Sequence, residues 1–98
     1  MAQAPISRSI HLVPLDRIAG FDVRPGFYDS NGATAIPGGV NFTVHSHGAS
    51  SIELLLFHRE QDEPFAVLPF PPHYRIGNVY SMIVFKLDIE EFEYAYRV

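Results

Sequence analysis

Apolar and polar residues alternate most cleanly at two places in the chain. Val40, Phe42 and Val44 alternate with Asn41, Thr43 and His45, and towards the end Phe92, Tyr94, Tyr96 and Val98 alternate with Glu93, Ala95 and Arg97. A period of two sends successive side chains to opposite faces of a strand, so each segment predicts an antiparallel strand. The first is expected to be half-buried, with its polar set in water. Ile52 to Phe57 is apolar on both faces apart from Glu53 and predicts a strand inside a sheet. Val79 to Leu87 is rich in β-branched and aromatic residues and predicts another. There Val79, Ser81, Ile83 and Phe85 share one face, and Tyr80, Met82, Val84 and Lys86 share the other.

Turn signals divide these segments. The run DSNGATAIPGG from Asp29 to Gly39 is dense in turn-forming residues, and Asn31-Gly32 within it favours a type I′ hairpin turn. Pro64 and Pro69 bracket a short segment whose prolines suit an edge strand followed by a loop. Asp88 to Glu91 predicts an acidic turn. Pro5, Pro14 and Pro25 fall too close together for a useful helix, so the start of the chain reads as irregular. Ile10–Val13 and Ile18–Val23 are apolar enough to pack on a sheet as short strands or to run along its surface. No helical period appears anywhere. The expected fold is therefore all-β, an immunoglobulin-like antiparallel β-sandwich. Residues 1–23 are expected to be an irregular segment packing on a sandwich formed by 24–98. The sequence stops within its last strand pattern, which suggests a fragment of a longer protein.

At 98 residues the chain holds one core. With 47% hydrophobic and 18% charged residues it falls among folding domains and outside the disordered class. Its formal charge of −4, with basic residues scattered, gives phosphates no stripe to bind, so nucleic acid is not an expected partner. No apolar run approaches the roughly 20 residues that span a bilayer, and no membrane partner is expected. The absence of cysteine excludes disulfides and thiolate chemistry and suits a reducing compartment, taken as the cytoplasm.

Candidate chemistry is sparse. His45 and His47 project from one side of an extended chain, and His58 and His73 could approach them. A zinc site needs a third ligand at a defined offset, so water-facing histidines are the better reading. Glu91 and Glu93 are spaced like a glycosidase carboxylate pair, but a convex turn gives them no pocket and they read as a solvated acidic turn. Ser46 lacks a strained elbow or an orienting carboxylate. Asn41-Phe42-Thr43 matches a glycosylation pattern inside a strand and reads as chance. No catalytic residue, metal site or cofactor is expected. Exposed aromatic rings stack on sugar faces, and Tyr74 in a loop and Tyr80, opposite the core-facing residues, are the best exposed candidates.

The segment GATAIPGGVNFTVHSHGASSIELLLFH resembles the opening of family-48 carbohydrate-binding modules, which precede the catalytic barrel of family-13 glycoside hydrolases. Three further pieces match the family's pattern: RPGFYDSNGATAIPGG as its lead-in, NVYSMIVFKL as its aromatic-centred segment and FEYAYRV as its YxYRV strand. Together they span residues 24 to 98. RPGFY, LLLFHR, YRIGNVYSMIVF and EEFEYAYRV are most similar to bacterial glycogen debranching enzymes of the isoamylase and pullulanase type. The resemblance implies a non-catalytic module packed against a (β/α)8 barrel of the same polypeptide that hydrolyses α-1,6 branch linkages. The alternative is an autonomous module that binds α-glucan. Members that grip glycogen use tryptophans, one of them in the loop after the LLLFH-type strand, where this sequence reads REQDEP. His45 and Tyr80 stand where many relatives carry tryptophan. The carbohydrate contacts expected here are His73, Tyr74 and Tyr80, chosen for their expected exposure.

Overall fold

The computed structural model describes residues 12–98. In chain order the strands are β1 (Asp16–Ile18), β2 (Phe21–Pro25), β3 (Gly32–Ile36), β4 (Gly39–His45), β5 (Glu53–His58), β6 (Ala66–Pro69), β7 (Arg75–Ile76), β8 (Val79–Phe85) and β9 (Phe92–Arg97). A 3₁₀ turn, Pro72–Tyr74, precedes β7. The larger sheet runs β1-β2-β8-β4-β3, with β7 beside β8, and the smaller runs β6-β5-β9. All pairings are antiparallel. The two sheets share one core in a β-sandwich-like arrangement. Val23, Val40, Phe42, Met82 and Val84 of the larger sheet meet Leu54, Leu56, Leu68 and Phe92 of the smaller. Phe42 joins the layers directly, its ring 6.1 Å from that of Phe92 and 5.4 Å from that of Tyr94.

β8 is the axis of the larger sheet. It pairs with β4 along its whole length, and on its other edge with β2 at Met82–Val84 and with β7 at Val79–Tyr80. β5 is central in the smaller sheet and β6 is an edge strand, as the patterns predict. The stretch Ile18–Val23 supplies the turn between β1 and β2, so the division drawn at residue 23 falls inside a strand. Leu12 and Val13 lie outside any element, and the rest of Ile10–Val13 lies outside the described residues.

Three expectations are corrected. Asn31-Gly32 does not make the hairpin turn. Gly32 opens β3, and the turn between β3 and β4 is Pro37-Gly38, with Ile36 opposite Gly39. Proline first and a glycine at φ 88° second are what a type II turn requires, and this turn leaves Gly32–Ile36 free to pair. Second, β4 is buried on both faces over Gly39–Thr43. Third, the core-facing side of β8 is Tyr80, Met82 and Val84, where the reverse was expected of Tyr80.

The second correction has a structural cause. After β2 the chain crosses the outer face of β8 and β4 to reach β3, and three polar side chains hold it there. Asn41 Oδ1 accepts from the Phe27 amide at 2.8 Å and the Thr43 hydroxyl donates to the Phe27 carbonyl at 2.8 Å. The Ser81 hydroxyl lies 2.7 Å from that of Thr43. Asn41, Thr43 and Ser81 are at most 1% exposed. Gly26 is what permits the approach, since a methyl group there would overlap Asn41 Oδ1 and Ser81 Oγ.

Substituting Gly26→Ala should therefore destabilise the fold by about 1–3 kcal/mol through overpacking, read as a lower urea midpoint at unchanged m. Leu54→Ala, a cavity at the centre of the smaller sheet, should cost about 2–5 kcal/mol in the same measurement.

Candidate functional site

The expected carbohydrate contacts come together at one end of the molecule, where the 3₁₀ turn leads through β7 into β8. Pro71 and Pro72 start this turn by fixing φ and removing donors, and Arg75 closes it with its amide bonded to the Pro72 carbonyl. The turn carries His73 outward and Tyr74 inward. Tyr74 is fully buried, with its hydroxyl donating to Asp16 Oδ2 at 2.6 Å and its carbonyl accepting from the Tyr28 hydroxyl at 2.8 Å. Tyr80 is 2% exposed. Its ring packs edge-on to Phe70, its hydroxyl donates to the Ala49 carbonyl at 3.2 Å, and the Arg75 guanidinium lies 5.5 Å from the ring centre.

Tyr74 and Tyr80 are thus corrected as exposed candidates. Neither ring offers a face to a sugar, because each is a core side chain whose hydroxyl is already bonded to protein. His73 is the one of the three that remains exposed, its imidazole edge-on to Tyr74 and its Nε2 3.4 Å from Asp16 Oδ2.

The electrostatics of this corner originate at Asp16. The Tyr74 hydroxyl, and beyond it His73, hold the Asp16 carboxyl below the usual carboxylate range against an opposing desolvation. Burial and the hydrogen bond to Asp16 push the Tyr74 phenol well above the ordinary tyrosine range. Burial likewise raises Tyr28. Asp16 stays ionised and Tyr74 and Tyr28 stay protonated near neutrality, and the Tyr74–Asp16 hydrogen bond latches the 3₁₀ turn to β1.

The remaining candidates are dispersed. His45 is exposed at the end of β4, and His47 Nδ1 lies 3.2 Å from Asn78 Nδ2. Among the described residues no group of three His, Cys, Asp or Glu side chains is placed to hold a metal ion. Glu90, Glu91 and Glu93 are exposed, with Asp88 capping their turn through its side chain and carbonyl. Asn41 is closed to modification by its burial. A shallow cleft of about 460 Å³ lies at the far end of β8, between Ala35–Gly39 and Lys86–Ile89, and its lining holds no aromatic ring. Tyr96 has a buried hydroxyl without a partner among the described residues, and burial raises its phenol.

One arrangement escaped the sequence. His58 and Phe65, on either side of the charged turn between β5 and β6, stack with ring centres 4.2 Å apart and planes 18° from parallel. Phe65 is 38% exposed. The hairpin closes through the Phe65 amide on the Leu56 carbonyl at 2.7 Å, which brings the rings face to face across REQDEP. Period and composition do not reveal such a cross-loop contact.

Two antiparallel sheets on one core, with a few surface aromatics, define a small β-sandwich-like module. Residues 30–98 match the family described as carbohydrate-binding module 48, the isoamylase N-terminal domain. The chain belongs to this family. It is 41% identical over 70 residues to "Isoamylase 1, chloroplastic" of Oryza sativa subsp. japonica and 39% identical over 70 residues to "Isoamylase SU1, chloroplastic" of Zea mays. Each alignment covers 67% of this chain and 9% of the relative, so the chain spans under a tenth of the length of the relatives it matches. β1, β2 and the crossing segment up to Asp29 lie before the family match.

The lowered pKa of Asp16 fixes the sign of one pH effect. A carboxyl depressed in the folded state contributes stability above its unfolded pKa of about 3.9, and this is lost as pH falls through the folded value. Asp16→Asn should be less stable than the unaltered chain at pH 6. That gap should shrink below pH of about 4, as urea midpoints at pH 6, 4 and 2.5 would show.

Proposed function

We propose that this chain is the non-catalytic N-terminal accessory module of a glycogen debranching enzyme, with an immunoglobulin-like sandwich packing against and supporting a (β/α)8 barrel in the same polypeptide. The barrel, in this reading, hydrolyses α-1,6 branch linkages. The family membership of residues 30–98, together with isoamylase relatives about ten times longer than the matched segment, is the observation that carries it. Exposed apolar groups add support. Val13 (55%) and Leu15 (59%), which lead into β1, Phe27 (42%), which follows β2, and Ile76 (62%) of β7 are exposed apolar side chains that an adjoining domain would cover. The burial of Tyr74 and Tyr80 turns two aromatics from ligand contacts into core, which favours a supporting role.

A second reading, an autonomous α-glucan-binding module, is favoured by the His58–Phe65 stack. It flanks the loop where members of the family that grip glycogen carry a tryptophan, with Phe65 38% exposed. His73 belongs to this reading as a further contact.

Two measurements separate the readings. If the module is supportive, amides of this segment should exchange more slowly in the parent polypeptide than in the isolated chain, most of all at Val13, Leu15, Phe27 and Ile76. Equal exchange removes the docking role. If the module binds glucan, maltoheptaose at millimolar concentration should move the amide signals around His58 and Phe65, and Phe65→Ala should abolish the movement. Unmoved signals remove the second reading.

A further inference from the structure

The fold treats the asparagines Asn31, Asn41 and Asn78 very differently. Asn41 is fully buried, its side chain is bonded to Phe27 and Thr43, and the bulky Phe42 follows it. Asn78 Nδ2 lies 3.2 Å from His47 Nδ1, and the β-branched Val79 follows it. Asn31 is exposed just before β3 and is followed by Gly32. The backbone demands that glycine, because its φ of 79° lies in the left-handed region that residues with a β-carbon rarely adopt. The same missing β-carbon leaves the Gly32 nitrogen open to the side chain before it.

We propose that Asn31-Gly32 is a site of spontaneous self-modification, a succinimide formed at a rate set by opening of the first rung of β3. The Gly32 nitrogen, its proton given up to solvent base, attacks Asn31 Cγ. The new N–Cγ bond forms, the Cγ–Nδ2 bond breaks, and Nδ2 takes up a proton and leaves as ammonia. Water then opens one of the two imide C–N bonds, which yields aspartate or isoaspartate. No oxidant or reductant takes part. Either product places a new carboxylate close to Asp29, and isoaspartate also adds a methylene to the main chain immediately before β3.

The register identifies what restrains the reaction. The Gly38 carbonyl accepts from the Lys86 amide and the Ser46 amide donates to the Asn78 carbonyl, both on the β8 side of β4. Gly39, Asn41 and Thr43, which alternate with them, therefore turn their backbone groups to β3. Gly32, opposite Thr43, donates its N–H to the Thr43 carbonyl, and while that rung is closed its nitrogen cannot lose the proton. It is the first rung of the ladder, and the ends of elements open at the least cost in free energy. The inference goes beyond the proposed accessory role and does not depend on it.

The full 98-residue chain, held for days at about pH 8 and about 37 °C and then mapped by peptide mass spectrometry, tests it. The readout is replacement of NH2 by OH, assigned to a residue by fragment ions. Asn31 should convert at least about tenfold faster than Asn41 or Asn78. In about 6 M guanidinium chloride, where the rungs are open, conversion at Asn31 should be at least about tenfold faster again. Gly32→Ala, compared in the denaturant so that strain at its φ plays no part, should slow conversion at least about tenfold. Asn31→Gln, whose longer side chain would have to close a larger ring, should remove conversion at this position in the folded chain, with circular dichroism showing that it is folded. Absence of conversion at Asn31 in the native chain, equal conversion at the three asparagines, a native rate equal to that in denaturant, or rates indifferent to either substitution would each overturn the inference.

Discussion

The structure depends on how the chain travels from β2 to β3. These strands sit on opposite sides of the β8–β4 pair, so the connection must run over the outer face of the sheet. A backbone laid on a sheet loses water from its own amides and carbonyls, and every such group needs a partner. Asn41, Thr43 and Ser81 supply these partners to Phe27, from two adjacent strands, with all three side chains removed from solvent. Asn41 is suited to this, because its amide can accept from the Phe27 N–H and donate to Thr43 and the Phe27 carbonyl. An aliphatic residue in its place would leave the crossing backbone unsatisfied.

That crossing shapes both the larger sheet and the corner around Tyr74. By covering the Ser81–Ile83 side of β8, it makes the larger sheet buried on both faces at its centre, while Tyr80, Met82 and Val84 face the smaller sheet. Tyr28, carried just beyond the crossing, bonds the Tyr74 carbonyl, and Asp16 bonds the Tyr74 hydroxyl. The 3₁₀ turn is thus fixed from both ends of the β1–β3 segment. The same contacts that order this corner close its tyrosines to ligand. Recognition of a sugar, if it belongs to this module, falls to the other sheet, where His58 and Phe65 stack in the open.

Much of this was legible in the sequence and part was not, for identifiable reasons. Alternation placed β4 and β9, and runs of apolar, β-branched and aromatic residues placed β5 and β8, because both are local properties of a strand. The same alternation misread Asn41 and Thr43, since it separates two faces without telling what covers the polar one. It could not say which face of β8 looks inward, because Ser81 and Ile83 are as buried as Tyr80 and Met82. Asn31-Gly32 and Pro37-Gly38 are both good turn signals only a few residues apart, and only pairing of Ala33–Ala35 with β4 decides between them. Tyr74 looked like a loop residue because its partner, Asp16, lies 58 positions away. The resemblance over residues 24 to 98 reached the family through motif order, which those errors of facing leave untouched.

The two sheets end up with different surfaces. The larger carries exposed apolar groups next to β1, β2 and β7, on residues largely outside the family match, whereas the smaller offers an aromatic stack. The His58–Phe65 stack, where β5 leads into β6, shares no residue with that apolar surface. Because the crossing segment fixes the larger sheet through Asn41, Thr43 and Ser81, none of which touches the β5–β6 hairpin, a substitution at Phe65 can alter the stack while leaving that crossing intact.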